Sequence, residues 1–202
     1  MNRRDFLRAA AAPPVQARGL SPLVVPVQRV MDVRAKCTRE ELRRFWWSIW
    51  PQAVRDFSRC AIELRTTDRT GEIRLSPAGR PLFRGLERRV INLVLTGVIP
   101  MHWDNGRALP GVTTLFEGYH LCVIALRYAH GHRVPYLSVN TCVHELLHAL
   151  LQDILVSRPR WFQTLERETR NDWCATRLWL FHEGGIIRES AQAYLKRLQA
   201  QN

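Results

Sequence analysis

Thr141-Cys142-Val143-His144-Glu145-Leu146-Leu147-His148-Ala149-Leu150-Leu151 is the stretch on which the fold turns. His144 and His148 stand at i and i+4, a spacing that puts two imidazoles on one face of a helix, where both reach a single cation. Glu145 is the only carboxylate in this run and Arg and Lys are absent from it, so the helix is expected to be buried with its polar side chains in use. The 7 His and 11 Glu of the chain would produce this H-E-x-x-H pattern by chance only about 0.013 times.

A buried helix needs apolar layers around it, and the rest of the chain can provide them. The 202 residues are 46 % hydrophobic and 24 % charged, the balance of one packed domain and not of a disordered chain. No run of about 18 uncharged apolar residues exists, which excludes a helix built to span a bilayer. The net charge of +12 comes from 28 Arg against Lys36 and Lys196. Those Arg are spread along the whole chain and are not gathered in one block with interleaved aromatics, which speaks against a nucleic-acid surface. Cys37, Cys60, Cys122, Cys142 and Cys174 are odd in number and form no C-x-x-C pair, so buried thiols are expected, not a disulfide framework.

Upstream of the helix, Thr38 and Glu41 have the spacing of a capping box, and Leu42, Phe45, Trp46, Ile49, Ala53 and Phe57 recur at helical intervals, with Pro51 a candidate kink. Ala61 to Arg65 and Gly71 to Leu75 read as two strands joined by a Thr66–Thr70 loop, and Val90 to Leu95 as a central strand. Residues 99 to 118 read as a long loop and Leu121 to Tyr128 as a fourth strand, open to pairing with an extended peptide. Pro13, Pro14, Pro22 and Pro26 mark residues 1 to 35 as irregular. The expected architecture is α+β over residues 36 to 202: an N-terminal helix, a small mixed sheet, the active-site helix and C-terminal helices that close the site.

Two imidazoles leave room for a third protein ligand. Phe162, Leu165, Ala175, Thr176 and Trp179 predict one helix from Trp161 to Phe181, on which Glu168 and Asp172 share the apolar face when Leu165 is taken as its centre. His182, beside Glu183, is the alternative ligand or a donor to an oxyanion. His130 and His132 read as exposed loop residues. Tyr119, His120 and Tyr136 are candidates to hydrogen-bond a substrate carbonyl, and Trp46, Trp47, Trp50 and Trp103 read as core or rim.

The segment Thr141 to Asp172, with H-E-x-x-H, Glu168 and then Asp172 four residues on, resembles the thermolysin-type gluzincins, zinc metallopeptidases of the zincin kind. The resemblance implies Zn²⁺ on His144, His148 and Glu168, Glu145 as the general base that activates a zinc-bound water, Asp172 as the partner that orients His144, and a peptide or protein as substrate. A zinc-stabilised binding or scaffold module, with His182 closing the site as fourth ligand, is the alternative. Arg3-Arg4 with Phe6-Leu7 and Arg8 resembles a bacterial twin-arginine export signal, with Val15-Gln16-Ala17 as a small-residue cleavage site. It implies a periplasmic or extracellular protein; without it the chain would be cytoplasmic.

Overall fold

The computed structural model describes residues 19–34, 37–75, 81–99, 110–127, 135–169 and 172–200. The twin-arginine stretch, His130, His132 and Trp103, and the side chain of Tyr136, lie outside them. The chain is a mixed α+β domain. One six-stranded sheet has the order β3-β2-β1-β4-β6-β5, from β1 (Leu23–Asp32), β2 (Ile62–Arg74), β3 (Leu82–Arg84), β4 (Ile91–Thr96), β5 (Gly111–Phe116) and β6 (Tyr119–Ala125). The inner four strands are parallel, and β3 and β5 run antiparallel at the two edges.

β1 corrects the expectation that everything before residue 36 is irregular. Val25 and Val27 are fully buried, and the strand sits in the middle of the sheet, between β2 and β4. Pro26 is tolerated because pairing with β4 begins only at Val27, so the imide falls where the strand has a ladder on one side alone. Residues 61 to 75 are likewise not a hairpin. They contain the single strand β2, and the Thr66–Thr70 stretch is a bulge: Val27 pairs with Thr66, but Arg29 pairs with Thr70.

The all-buried β4 is central, as its unbroken apolar run predicts. The expected long loop hides β5, which is joined to β6 by a two-residue turn. Glu117 (φ 50°) and Gly118 (φ 81°) both take positive φ, the conformation that matches the twist of a hairpin.

Helix α1 (Arg39–Arg44) starts at the expected capping box, in which Thr38 Oγ1 accepts from Glu41 N–H and Glu41 Oε2 accepts from Thr38 N–H. It passes through a wide π turn at Phe45–Ile49 into α2 (Trp50–Ser58). Pro51 explains the irregularity, because its missing N–H breaks the helical ladder there. Next come α3 (Pro135–Leu150), α4 (Gln152–Ser157), α5 (Pro159–Thr169), α6 (Trp173–His182) and α7 (Gly184–Ala200). No helix among the described residues is long and apolar enough to cross a membrane.

The helices contribute to the larger core on one face of the sheet, where Val25, Val27, Ile62, Leu93, Cys122 and Ile124 meet Phe45, Phe57, Leu146, Leu150, Leu180 and Tyr194. The opposite face has a smaller cluster around Val30, Ile73, Val94 and Leu121. Phe83 of β3 closes it against Phe116 and Tyr119. The site helix α3 therefore lies between the sheet and the other helices, with Cys142, Val143, Leu146, Leu147 and Leu150 fully buried.

Val27→Ala removes two methyl groups from the middle of this core and is expected to cost about 1 to 3 kcal/mol. Val33→Ala, just past the strand and half exposed, is expected to stay within about 0.5 kcal/mol. Urea denaturation of both variants checks that residues 23 to 32 belong to the folded domain.

Candidate metal centre

The α3 ladder carries His144 and His148 to the side of the helix that faces α5. His148 Nε2 lies 3.0 Å from His144 Nε2. Glu166 of α5 completes the group, with Oε2 2.9 Å from His148 Nε2 and 3.4 Å from His144 Nε2. Among the described residues these three are the cluster with metal-ligand spacing, all ligand atoms lying within 4.8 Å of one another.

One hydrogen bond decides the state of His144. Thr169 Oγ1 donates its single proton to the carbonyl of Leu165, a pure acceptor, at 2.7 Å. Its contact with His144 Nδ1 at 3.1 Å must then be one in which the imidazole N–H donates. In the neutral ring that assignment leaves His144 Nε2 with a lone pair aimed at His148 and Glu166. A second imidazole nitrogen and a carboxylate oxygen at these distances need something positive among them, a proton or a cation.

The donor set fits a cation. Two ligand atoms each about 2.0 to 2.1 Å from a tetrahedral ion stand roughly 3.3 Å apart, close to the three separations found here. Two imidazoles and one carboxylate are also a known donor set for a catalytic zinc with an open position. The electrostatics agree. Burial works against the Glu166 carboxylate, but hydrogen bonds and charge from His144 and His148 outweigh it and hold its carboxyl well below the usual range.

Glu145 is buried beside the triad, and its Oε2 accepts from Thr113 Oγ1 at 2.8 Å. Burial pushes its carboxyl up, opposed in part by His148, His144 and the Thr113 hydroxyl. A Cβ on Gly111 would come within 2.5 Å of Glu145 Cγ and 2.7 Å of Thr141 Cγ2. The start of β5 can therefore press this closely on α3 only as glycine.

Glu168 is not part of this cluster. Its side chain is 48 % exposed and accepts from Trp179 Nε1 at 2.9 Å. The helix that was to carry both carboxylates is two helices, α5 and α6. Asp172 is the N-cap of the second, its Oδ1 accepting from Cys174 and Ala175 N–H at 2.8 and 3.1 Å. Ala175, Thr176 and Trp179 thus say nothing about which face of α5 is buried. The buried residues of α5 are Phe162, Leu165 and Thr169, at about +60°, 0° and +40° on a helical wheel. The centre of the stripe lies on the Glu166 side of Leu165, and Glu168 falls about 90° away from it.

Thr169 does the work expected of Asp172, and a buried network fixes it. Asn140 Nδ2 donates to the Thr169 carbonyl at 3.0 Å, and Thr176 Oγ1 donates to Asn140 Oδ1 at 2.6 Å. α3, α5 and α6 are thereby joined by polar contacts beneath the triad. Phe162 packs edge-on against His148, with ring centroids 5.3 Å apart.

The other sequence candidates lie elsewhere. His182 lines a hollow of about 380 Å³ together with Glu168, Ala175, Leu178, Trp179 and Glu183, and none of the triad residues borders it. Tyr119 packs on the sheet face opposite α3, and His120 lies edge-on to Tyr194 near Gln152. Trp46 and Trp50 pack against each other at the core, and Trp47 is 80 % exposed. Comparison with family models, with curated proteins and with solved structures finds no match to this chain.

Thr169→Val is expected to weaken Zn²⁺ or Co²⁺ binding roughly 10- to 100-fold, the usual effect of removing the partner that orients a ligating imidazole. Glu166→Ala should weaken it further, and Glu168→Ala should leave it unchanged. Asp172→Ala should cost about 1 kcal/mol of stability, as the loss of an N-cap does, with metal affinity intact. Metal titration and thermal melting of the four variants separate these roles.

Proposed function

We propose that the chain is a zinc-dependent hydrolase of the metallopeptidase type, with His144, His148 and Glu166 holding the ion and Glu145 as general base. The observation that carries this reading is the convergence of His144 Nε2, His148 Nε2 and Glu166 Oε2 within hydrogen-bond distance of one another, with the buried Glu145 next in sequence to the first of them. Zinc bound there would supply a water of lowered pKa and a Lewis acid for a substrate carbonyl.

The protein's own groups account for the rest. Glu166 brings one negative charge against the charge of the ion, and Thr169 keeps His144 in the tautomer that can ligate. Glu145 takes the proton from the attacking water and delivers it to the leaving amine; its raised pKa brings it nearer to neutral pH, where a base of this kind is most effective. Three ligands among the described residues leave a coordination position open, which favours catalysis over the closed scaffold site that His182 would have completed.

The sheet also offers a place for a peptide, though not the expected one. Both sides of β6 are taken, by β4 and by β5. β5 pairs on one side alone among the described residues. The bond from Ala125 N–H to the Pro110 carbonyl sets the phase of its ladder, so Gly111, Thr113 and Leu115 turn their backbone N–H and C=O away from β6. An extended peptide paired there would run past Glu145, which Thr113 touches. Arg3-Arg4 and Phe6-Leu7 support export as part of the proposal. Cleavage after Ala17 would leave β1 whole.

Glu145→Gln should retain about one zinc per chain and lose at least about 10²-fold in peptide hydrolysis, the usual share of a positioned acid–base group. Zinc analysis and cleavage of a fluorescence-quenched peptide library check both halves. Undiminished hydrolysis in the variant, or loss of its zinc, would refute the role given to Glu145.

A further inference from the structure

We infer that Thr113 is a positioning residue for Glu145, and that β5 is the clamp that holds the proposed general base in place. This rests on the metallopeptidase reading for its catalytic meaning, but its geometry stands by itself. Thr113 Oγ1 lies 2.8 Å from Glu145 Oε2 and 2.8 Å from the Glu145 main-chain carbonyl. The hydroxyl thus reaches both ends of the same residue. On the same strand, Gly111 lacks the Cβ that would strike Glu145 Cγ and Cδ. One residue of β5 draws the carboxylate in, and the residue two positions before it makes the room.

Thr113 has one proton to donate and two acceptors within reach. With Glu145 ionised, the proton belongs on Oε2, because a carboxylate is the stronger acceptor and the carbonyl is already part of the helical ladder. When Glu145 has taken the proton of the attacking water on Oε1, Oε2 is still an acceptor, and the Thr113 hydroxyl goes on donating to it. The contact survives in both states, so the carboxylate keeps its place while the proton arrives and while it leaves for the amine. Cys122, which faces Thr113 across the β5–β6 ladder, brings its thiol to the same hydroxyl and limits where the rotor can go. Oε1 is left as the oxygen that exchanges the proton.

The positioning role predicts a kinetic signature that lost folding stability would not produce. Thr113→Val keeps the shape of the side chain and removes the hydroxyl. With the quenched peptide library narrowed to one cleaved peptide, kcat is expected to fall roughly 10- to 100-fold, the scale of a misplacement of about 1 Å, with KM within about twofold. Zinc content should stay at that of the wild type, and Thr113→Ser should recover most of kcat. A crystal structure of the zinc-loaded Thr113→Val protein should show Glu145 Oε2 displaced from its wild-type position. Gly111→Ala, which keeps the hydroxyl but fills the gap, should shift Glu145 and lower kcat in the same way; it decides the matter if Thr113→Val does not fold. Full kcat with Glu145 unmoved in the Val variant, or a Ser variant as impaired as Val, overturns the clamp. A wild type that takes up no zinc and cuts no peptide overturns the metallopeptidase reading instead, and the position of Glu145 in the two variant structures still decides the clamp.

Discussion

Helix α3 has to be buried on nearly every side and still carry two imidazoles, a carboxylate and a carboxamide, and the rest of the site answers that constraint. Leu146, Leu147 and Leu150 supply the apolar contact. Each polar side chain then needs a partner from another element, because a buried polar group without one costs several kilocalories per mole. Asn140 finds Thr169 and Thr176, His144 finds Thr169, Glu145 finds Thr113, and His148 finds Glu166. Three elements, α5, α6 and β5, are thereby registered against α3 by polar contacts whose geometry is far less forgiving than apolar packing. The metal-ligand spacing is the by-product of a helix that would be unstable if any one of these neighbours were out of place.

The centre of this site was legible in the sequence and its margin was not. His144, Glu145 and His148 declare themselves through spacing within one helix, where 3.6 residues per turn leaves little freedom. The third member of the cluster comes from another helix, and the choice between Glu166 and Glu168 depends on a rotation of a few tens of degrees in the apolar stripe. Phe162, Leu165 and Thr169 contain that rotation, but only once Asp172 is recognised as a cap that begins a new helix. Asp before Trp173-Cys174-Ala175 is the signal that could have ended the first helix there. Thr169 and Thr113 leave no trace of this kind. A threonine on a helix or strand looks alike whether it meets solvent or a buried carboxylate or imidazole.

The fold divides in the same way. The capping box at Thr38, the unbroken run of β4 and the mixed α+β class follow from local pattern. β1 was hidden by Pro26, since proline argues against a central strand unless one side of the ladder has yet to start. β5 was hidden because Pro110-Gly111 has the look of a turn, whereas the glycine is there for the close approach of α3. In both cases the local rule is sound, and a tertiary neighbour overrules it.

β1 also has a bearing on how the domain comes to exist. The first strand among the described residues is the middle of the sheet, and the last described helix, α7, packs over it. The guanidinium of Arg188 donates to the carbonyls of Ser21, 167 positions earlier in sequence, and of Ala61. The core therefore has no finished N-terminal half. A chain emerging from the ribosome leaves part of the apolar face of β1 uncovered until α7 has been made, and its long-range pairings make assembly slow. For this fold the exposed interval lasts until α7 has been made, and aggregation competes with folding throughout it.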